Sequence, residues 1–255
     1  MAQTATATRR AGISAEEWQV RVQLAACYRI FAMLGLDDLI YTHISARVPG
    51  PEDHFLLNPF GLLYEEVTAS NLVKVDLAGH IVDEGAGPVN PAGFIIHSAV
   101  HAGRPDVHCV IHLHTIAGSA VSAQKHGLLP LTQTAMLYWG RIAYHAYEGL
   151  ALREGEKARL VADLGDRNLM ILRNHGTLTV GRTIPEAFIY MFYLDRACRM
   201  QVAALAGNQP LEMPSPEVQD LAAAQAKAGF GWAPGEREFA ALTRKLDRLD
   251  PGYRD

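Results

Sequence analysis

The chain has 255 residues, 49% of them hydrophobic and 20% charged, with a formal net charge of −4. That is enough apolar material for one sizeable core, within the range of a single α/β or α+β unit, and it leaves no basic face for nucleic acid. No apolar run approaches the roughly 20 residues of a membrane span, and Cys27, Cys109 and Cys198 are too scattered for a CxxC pair or a disulfide framework, so they read as buried reduced thiols in a cytoplasmic protein.

Residues 1–12 are small and polar with no apolar stretch, an arm rather than a secretory signal. The first periodic segment runs from Ile13 to Leu34. Ser14 is its N-cap, Glu17 completes a capping box, and Gly35 ends it. Three short runs follow, "THISARVPG", "HFLLNPFG" and "LVKVDLAGHIV". They read as a β-meander whose third run folds over "DLAG". "NPAGFIIHSAVHAGRPD" is a helix capped by Asn90, opened by Pro91 and stopped by Gly103 and Pro105. "VHCVIHLHT" is a strand, "IAGSAVSAQ" a short helix, "RIAYHAYEG" a strand and "EGEKARLVADLG" a helix. "NLMILRNHGTLTVG" is two strands meeting at Asn174-His175-Gly176, and Thr183 with Glu186 caps a long helix to Ala206. Strands and helices mix without strict alternation. The expected fold is α+β: a single three-layer αβα domain, residues 13–207, with a central, mainly antiparallel sheet. Residues 208–255 form a tail packing on the domain or on a neighbouring subunit.

Eleven residues are histidine, and seven of them fall between His97 and His145. In the strand "VIHLHT" the side-chain period of two puts His112 and His114 on one face. Two adjacent imidazoles are costly to bury without a partner, so they share a carboxylate, face water or bind a metal. His175, at a strand junction followed by Gly176, is the best third ligand. Three imidazoles with an open position suit catalytic Zn²⁺, and also Fe²⁺, Mn²⁺ or Co²⁺. His97 and His101 stand i, i+4 on one helical face, the other common ligand spacing. The preferred reading of that pair is packing against the sheet with local hydrogen bonds. His54, His80, His108 and His126 sit at element edges and read as surface residues.

The ordered set "THIS", "NPFG", "RPDVHCVIHLHT" and "LRNHGTLTVG", followed by the long helix, resembles the class II aldolase/adducin family from about Val20 to Ala206. "GLLPL", "AYHAYEG" and "ILRNHG" resemble the adducin-head branch and its bacterial relatives most. The resemblance implies an αβα domain, a homotetramer with sites at subunit interfaces, and a divalent metal, usually zinc, on His112, His114 and His175.

The departures from the aldolases bear on chemistry. Gly93 stands where they carry an acid/base Glu, and the substitutes considered are Glu148, His97, Tyr138 and His145. Their phosphate-holding turns here read His43-Ile44-Ser45, Phe60-Gly61 and Pro91-Ala92, which removes several donors. Their partner-subunit tyrosine aligns near Thr134. The expected protein is therefore a metal-dependent lyase. It would cleave or decarboxylate a non-phosphorylated hydroxy or keto acid, or a related carbonyl compound, through an enediolate that the metal stabilises. Phe60, Tyr138 and Trp139 are candidate walls of a less polar pocket. The alternatives are a non-catalytic, adducin-head-like assembly module and a non-haem iron oxygenase on the same three histidines. The apolar segment "LLPLTQTAMLYW", long for an exposed loop, adds to the expectation of an oligomer.

Overall fold

The computed structural model describes residues 12–50, 53–82, 87–150, 153–229 and 231–255. The arm expected over residues 1–12 therefore lies, apart from Gly12, outside the described residues. Helix α1 (Ala15–Met33) leads into strands β1 (His43–Arg47), β2 (His54–Leu57) and β3 (Val73–Asp76), then helix α2 (Pro91–Gly103) and strand β4 (Cys109–Leu113). Helices α3 (Ile116–Ser122) and α4 (Gln133–Met136), strand β5 (Ile142–His145), helix α5 (Glu154–Leu164), strands β6 (Leu169–Leu172) and β7 (Gly176–Gly181), and helices α6 (Ile184–Ala206), α7 (Pro216–Ala228) and α8 (Glu236–Leu249) complete it.

The seven strands form one sheet in the order β3-β2-β1-β4-β7-β6-β5. Every pairing is antiparallel except β5 with β6, which is parallel. The strand period of two sorts the side chains. Ile44, Ala46, Ile111 and Leu113 pack with α1 and α6 on one face, while Val110, Met170 and Leu172 pack with α2 and α5 on the other. This is the expected three-layer αβα domain with a mainly antiparallel sheet, and the β1-β2-β3 meander is present. Of the hairpin read over "DLAG", only a bridge from Val75 to Ile81 forms beyond β3.

The caps at Ser14, Asn90 and Thr183 form as read, each accepting an N–H of the first helical turn. The two capping boxes do not close. Glu17 turns inward, where Arg21 Nε donates to it at 2.8 Å and Lys74 Nζ lies 3.0 Å away. Glu186 accepts from Arg182 N instead of from Thr183. In both cases a stronger or nearer donor takes the carboxylate. The segment expected as an exposed apolar loop is mostly inside. Leu128, Ala135, Met136 and Tyr138 are buried, and α4, which the sequence reading missed, packs on α6. Residues 208–255 are more than a loose tail, because Phe239, Leu246 and Tyr253 join the main core. Asp250 also pairs with Arg29 of α1 at 2.5 Å. The three cysteines are buried and free, and burial pushes the Cys198 thiol up to about 12.

Candidate metal centre

Strand β4 delivers His112, on the α2 face beside Val110. His114 follows the end of the strand, before Thr115 caps α3. His175 comes from the β6–β7 turn, where Asn174 takes a left-handed φ of 56°, a conformation Asn tolerates better than most residues. The turn closes with His175 N donating to Leu172 O. Gly176 is required next, since a Cβ there would lie 2.5 Å from Leu113 O and 3.1 Å from the His114 ring. These constraints bring the three rings together. His114 Nε2 is 2.9 Å from both His112 Nε2 and His175 Nε2. Among the described residues they are the one group placed to hold a metal ion.

The outer nitrogens set what the inner ones can do. His112 Nδ1 lies 3.0 Å from Thr177 O, a carbonyl that can only accept, so Nδ1 carries the proton. His114 Nδ1 lies 3.0 Å from Asp38 Oδ2 and donates to that carboxylate. In neutral rings both Nε2 atoms then present lone pairs to each other at 2.9 Å with no proton between them. That contact is repulsive until a cation sits among the three nitrogens. Ligands 2.0–2.1 Å from a tetrahedral cation stand roughly 3.3 Å apart, close to the spacing here. The carbonyl and the carboxylate are the usual orienting partners of ligating imidazoles. Burial also favours the neutral form of His112 and His175, the form in which imidazole is a ligand. It holds His112 well below the ordinary imidazole range, helped by His175 and His114, and lowers His175 to about 4, helped by His114. The residues fit a divalent metal.

The centre opens into a cavity of about 480 Å³. Phe60, Ile96, Tyr41 and Leu150 give it apolar walls, and Asn90, Asn174 and Tyr147 give it polar groups. The Tyr147 ring is 6.4 Å from that of His175. No Lys or Arg lines the cavity among the described residues. His43 also lines it. It pairs with His112 across β1 and β4, and the ring centroids are 5.2 Å apart. His43 Nδ1 bonds His97 Nε2 at 2.8 Å, and its Nε2 has no hydrogen-bond partner among the described residues.

The substitutes for the missing Glu are placed differently from one another. Glu148 lies under Arg159, whose Nε and Nη2 both donate to it, and this pairing holds the carboxyl below its ordinary range. Tyr138 packs against Tyr190 in the cluster under α6, where burial raises its hydroxyl, and it does not line the cavity. His97 is fully buried behind His43. His145 is held by Asp163 at 2.7 Å beside Glu156. Of the proposed pocket aromatics, Phe60 lines the cavity and Trp139 lies elsewhere. His97 and His101 do pack locally, on the Ser45 hydroxyl. Asp38 and Tyr147 carry no local signal in the sequence, and His43 is singled out there only as the residue standing in an altered phosphate turn. Asp37-Asp38 reads as a solvated acidic turn, and nothing local ties it to a histidine 76 residues on.

Comparison with known proteins follows the same outline. The domain description "Class II Aldolase and Adducin N-terminal domain" matches residues 22–202. An aldolase II superfamily protein from Pseudomonas syringae has a structure that superposes with a TM-score of 0.88 at 52% identity, covering 95% of this chain and 98% of that one. L-fuculose 1-phosphate aldolase from Glaciozyma antarctica superposes at 0.83 with 30% identity over 97% and 96% of the two chains. Alpha-adducin of Rattus norvegicus is 47% identical over 249 residues, which span 92% of this chain and 34% of the adducin.

Proposed function

This chain belongs to the class II aldolase and adducin family, and from that membership we propose a divalent-metal-dependent carbon–carbon lyase acting on a non-phosphorylated hydroxy or keto acid or a related carbonyl compound. The observation that carries the proposal is the convergence of three imidazoles, two of which, His112 and His114, have their outer nitrogens committed to Thr177 O and Asp38 and so turn unshared lone pairs inward.

His112, His114 and His175 would hold the ion. When bound, a divalent cation supplies Lewis acidity, drawing charge from a carbonyl oxygen as a neighbouring C–C bond breaks. Asp38 and the Thr177 carbonyl keep two ligand rings in orientation. Phe60, Ile96 and Leu150 give the cavity an apolar wall against which the carbon part of a substrate would pack. His43 Nε2 is the group in place to give a proton to the carbon that loses its bond, or to take one from a hydroxyl, the role assigned to Glu in the aldolases. Retro-aldol cleavage and decarboxylation make the same demand on these residues.

Support for a substrate without phosphate comes from the cavity wall. It has no Lys or Arg among the described residues, and Asp38 adds negative charge. Pro91 brings no N–H to the start of α2, and that of Ala92 is taken by Asn90 Oδ1. Ser45, the last residue of the His43-Ile44-Ser45 turn, is fully buried between His97 and His101. Zinc, with iron, manganese or cobalt as the other choices, and a homotetramer complete the proposal. The tetramer draws on the family resemblance and on Leu39, Ile116 and Leu150, which are 63%, 92% and 74% exposed. The likeness to alpha-adducin supports the second reading, an assembly module without catalysis. The test is metal analysis of the purified protein, followed by incubation of the metal-loaded form with hydroxy and keto acids. Stoichiometric metal with release of CO₂ or aldehyde supports the lyase. A metal-free protein without turnover supports the module.

A further inference from the structure

His43, Ser45 and Arg47 alternate along β1 and share one face of the sheet, and His97 and His101 stand four apart on one face of α2. The two rows interleave into a continuous chain of polar groups. His43 Nδ1 meets His97 Nε2 at 2.8 Å, His97 Nδ1 meets Ser45 Oγ at 2.5 Å, and Ser45 Oγ meets His101 Nε2 at 2.8 Å. None of the four is more than 4% exposed. One end is His43, in the wall of the three-histidine cavity. The other is His101, whose Nδ1 is buried and makes no hydrogen bond. His101 lines a second cavity of about 610 Å³ with Arg47 and His108, and the two cavities share no lining residue.

We infer that His43, His97, Ser45 and His101 form a proton wire connecting the second cavity to the metal centre. The inference rests on the lyase reading, because it names the source of the proton which that reading asks of His43.

The geometry permits two arrangements. In the first, His101 Nε2–H donates to Ser45 Oγ, the Ser45 hydroxyl donates to His97 Nδ1, and His97 Nε2–H donates to His43 Nδ1. His43 then carries its proton on Nε2, at the cavity. In the second, every bond points the other way, and His43 Nε2 offers a lone pair. Passage from first to second balances. His43 Nε2 gives up its proton at the cavity. The His97 Nε2 proton moves to His43 Nδ1, the Ser45 proton to His97 Nδ1 and the His101 Nε2 proton to Ser45 Oγ. One proton enters at His101 Nδ1, a buried atom, from the side of the second cavity that His101 lines. All three rings are neutral before and after, and a concerted shift of the protons keeps the buried chain free of a charge that would be costly there. The three rings also share one tautomer, all Nε2–H or all Nδ1–H.

Ser45 is the place to cut the wire, since it reaches neither cavity. The full-length, zinc-loaded protein with ¹⁵N-labelled histidine reports each ring's tautomer ratio. The expected result is one shared ratio for His43, His97 and His101 with both tautomers populated. In Ser45→Ala the His101 ratio should depart from the other two, and Ser45→Thr, which keeps the hydroxyl, should restore it. Rings in unlike tautomers, or all locked in one, would overturn the wire. The second readout is exchange of the C–H protons of hydroxyacetone in D₂O. Ser45→Ala should lower kcat at least tenfold, within the range of general acid–base catalysis, with KM and zinc content unchanged. His101→Phe should do the same from the far end should Ser45→Ala fail to fold. Undiminished kcat in both variants would also overturn the wire. A wild-type protein that exchanges nothing while its rings keep the shared ratio would count against the lyase reading alone.

Discussion

A Cβ placed on Gly93 would lie 2.5 Å from Cδ2 and 2.7 Å from Nε2 of the His43 ring. The imidazole thus fills the space a side chain at position 93 would need. Gly93→Glu alone should destabilise the protein by about 1–3 kcal/mol through overpacking. Adding His43→Asn, which removes the ring, should recover most of that loss. Denaturant unfolding of the two single variants and the pair checks it. Additive losses would show that the two positions do not compete for space.

Asp38 orients His114 without being a ligand. Asp38→Asn should weaken zinc affinity by about 10- to 100-fold, the usual cost of losing such a partner, while His97→Ala leaves affinity unchanged. Competition with a chromogenic chelator measures both. Equal affinity for Asp38→Asn and wild type would remove Asp38 from the site.

Acid should destabilise the metal-free protein. Burial lowers His101 to about 3 and His175 to about 4, against about 6.5 for an unfolded chain. Between those values the unfolded state binds more protons than the folded one, so stability rises with pH and is lost as pH falls below about 6.5. Tm should drop steadily from pH 7 to pH 4.5, and His101→Phe should flatten part of that slope. A Tm independent of pH over this interval would contradict the buried neutral rings.

Fuculose-, rhamnulose- and ribulose-type phosphates should not be turned over at rates near 1 s⁻¹. Each missing charge-assisted hydrogen bond costs roughly 1.5–3 kcal/mol, so three lost donors remove several powers of ten in affinity. Steady-state assays of the metal-loaded protein on these phosphates decide the point, and ordinary turnover would end the non-phosphorylated reading.

Light scattering should return about four times the 27.9 kDa chain mass. Ile116→Glu, at an apolar position beside the site, should lower it. A monomer at micromolar concentration would contradict the tetramer.

What the sequence disclosed was local or periodic. Ser14, Asn90 and Thr183 declare helix starts within three residues, and the alternation in "VIHLHT" places His112 and His114 together before any fold is known. What it hid was distant. Asp38 reaches His114 across 76 positions, His43 meets His97 across 54, and Arg29 meets Asp250 across 221. Glu148 looked available because its partner Arg159 lies on another element. The apolar run containing α4 looked exposed because nothing local reveals that α6 covers it.

The central claim is that His112, His114 and His175 together hold a divalent metal, and elemental analysis of the purified protein tests it most directly. Wild type should carry close to one divalent ion per chain. His112→Ala, His114→Ala and His175→Ala should each carry almost none while keeping wild-type far-UV circular dichroism, because a pair of imidazoles chelates far more weakly than three. Full metal occupancy in any of the three folded variants would contradict the account.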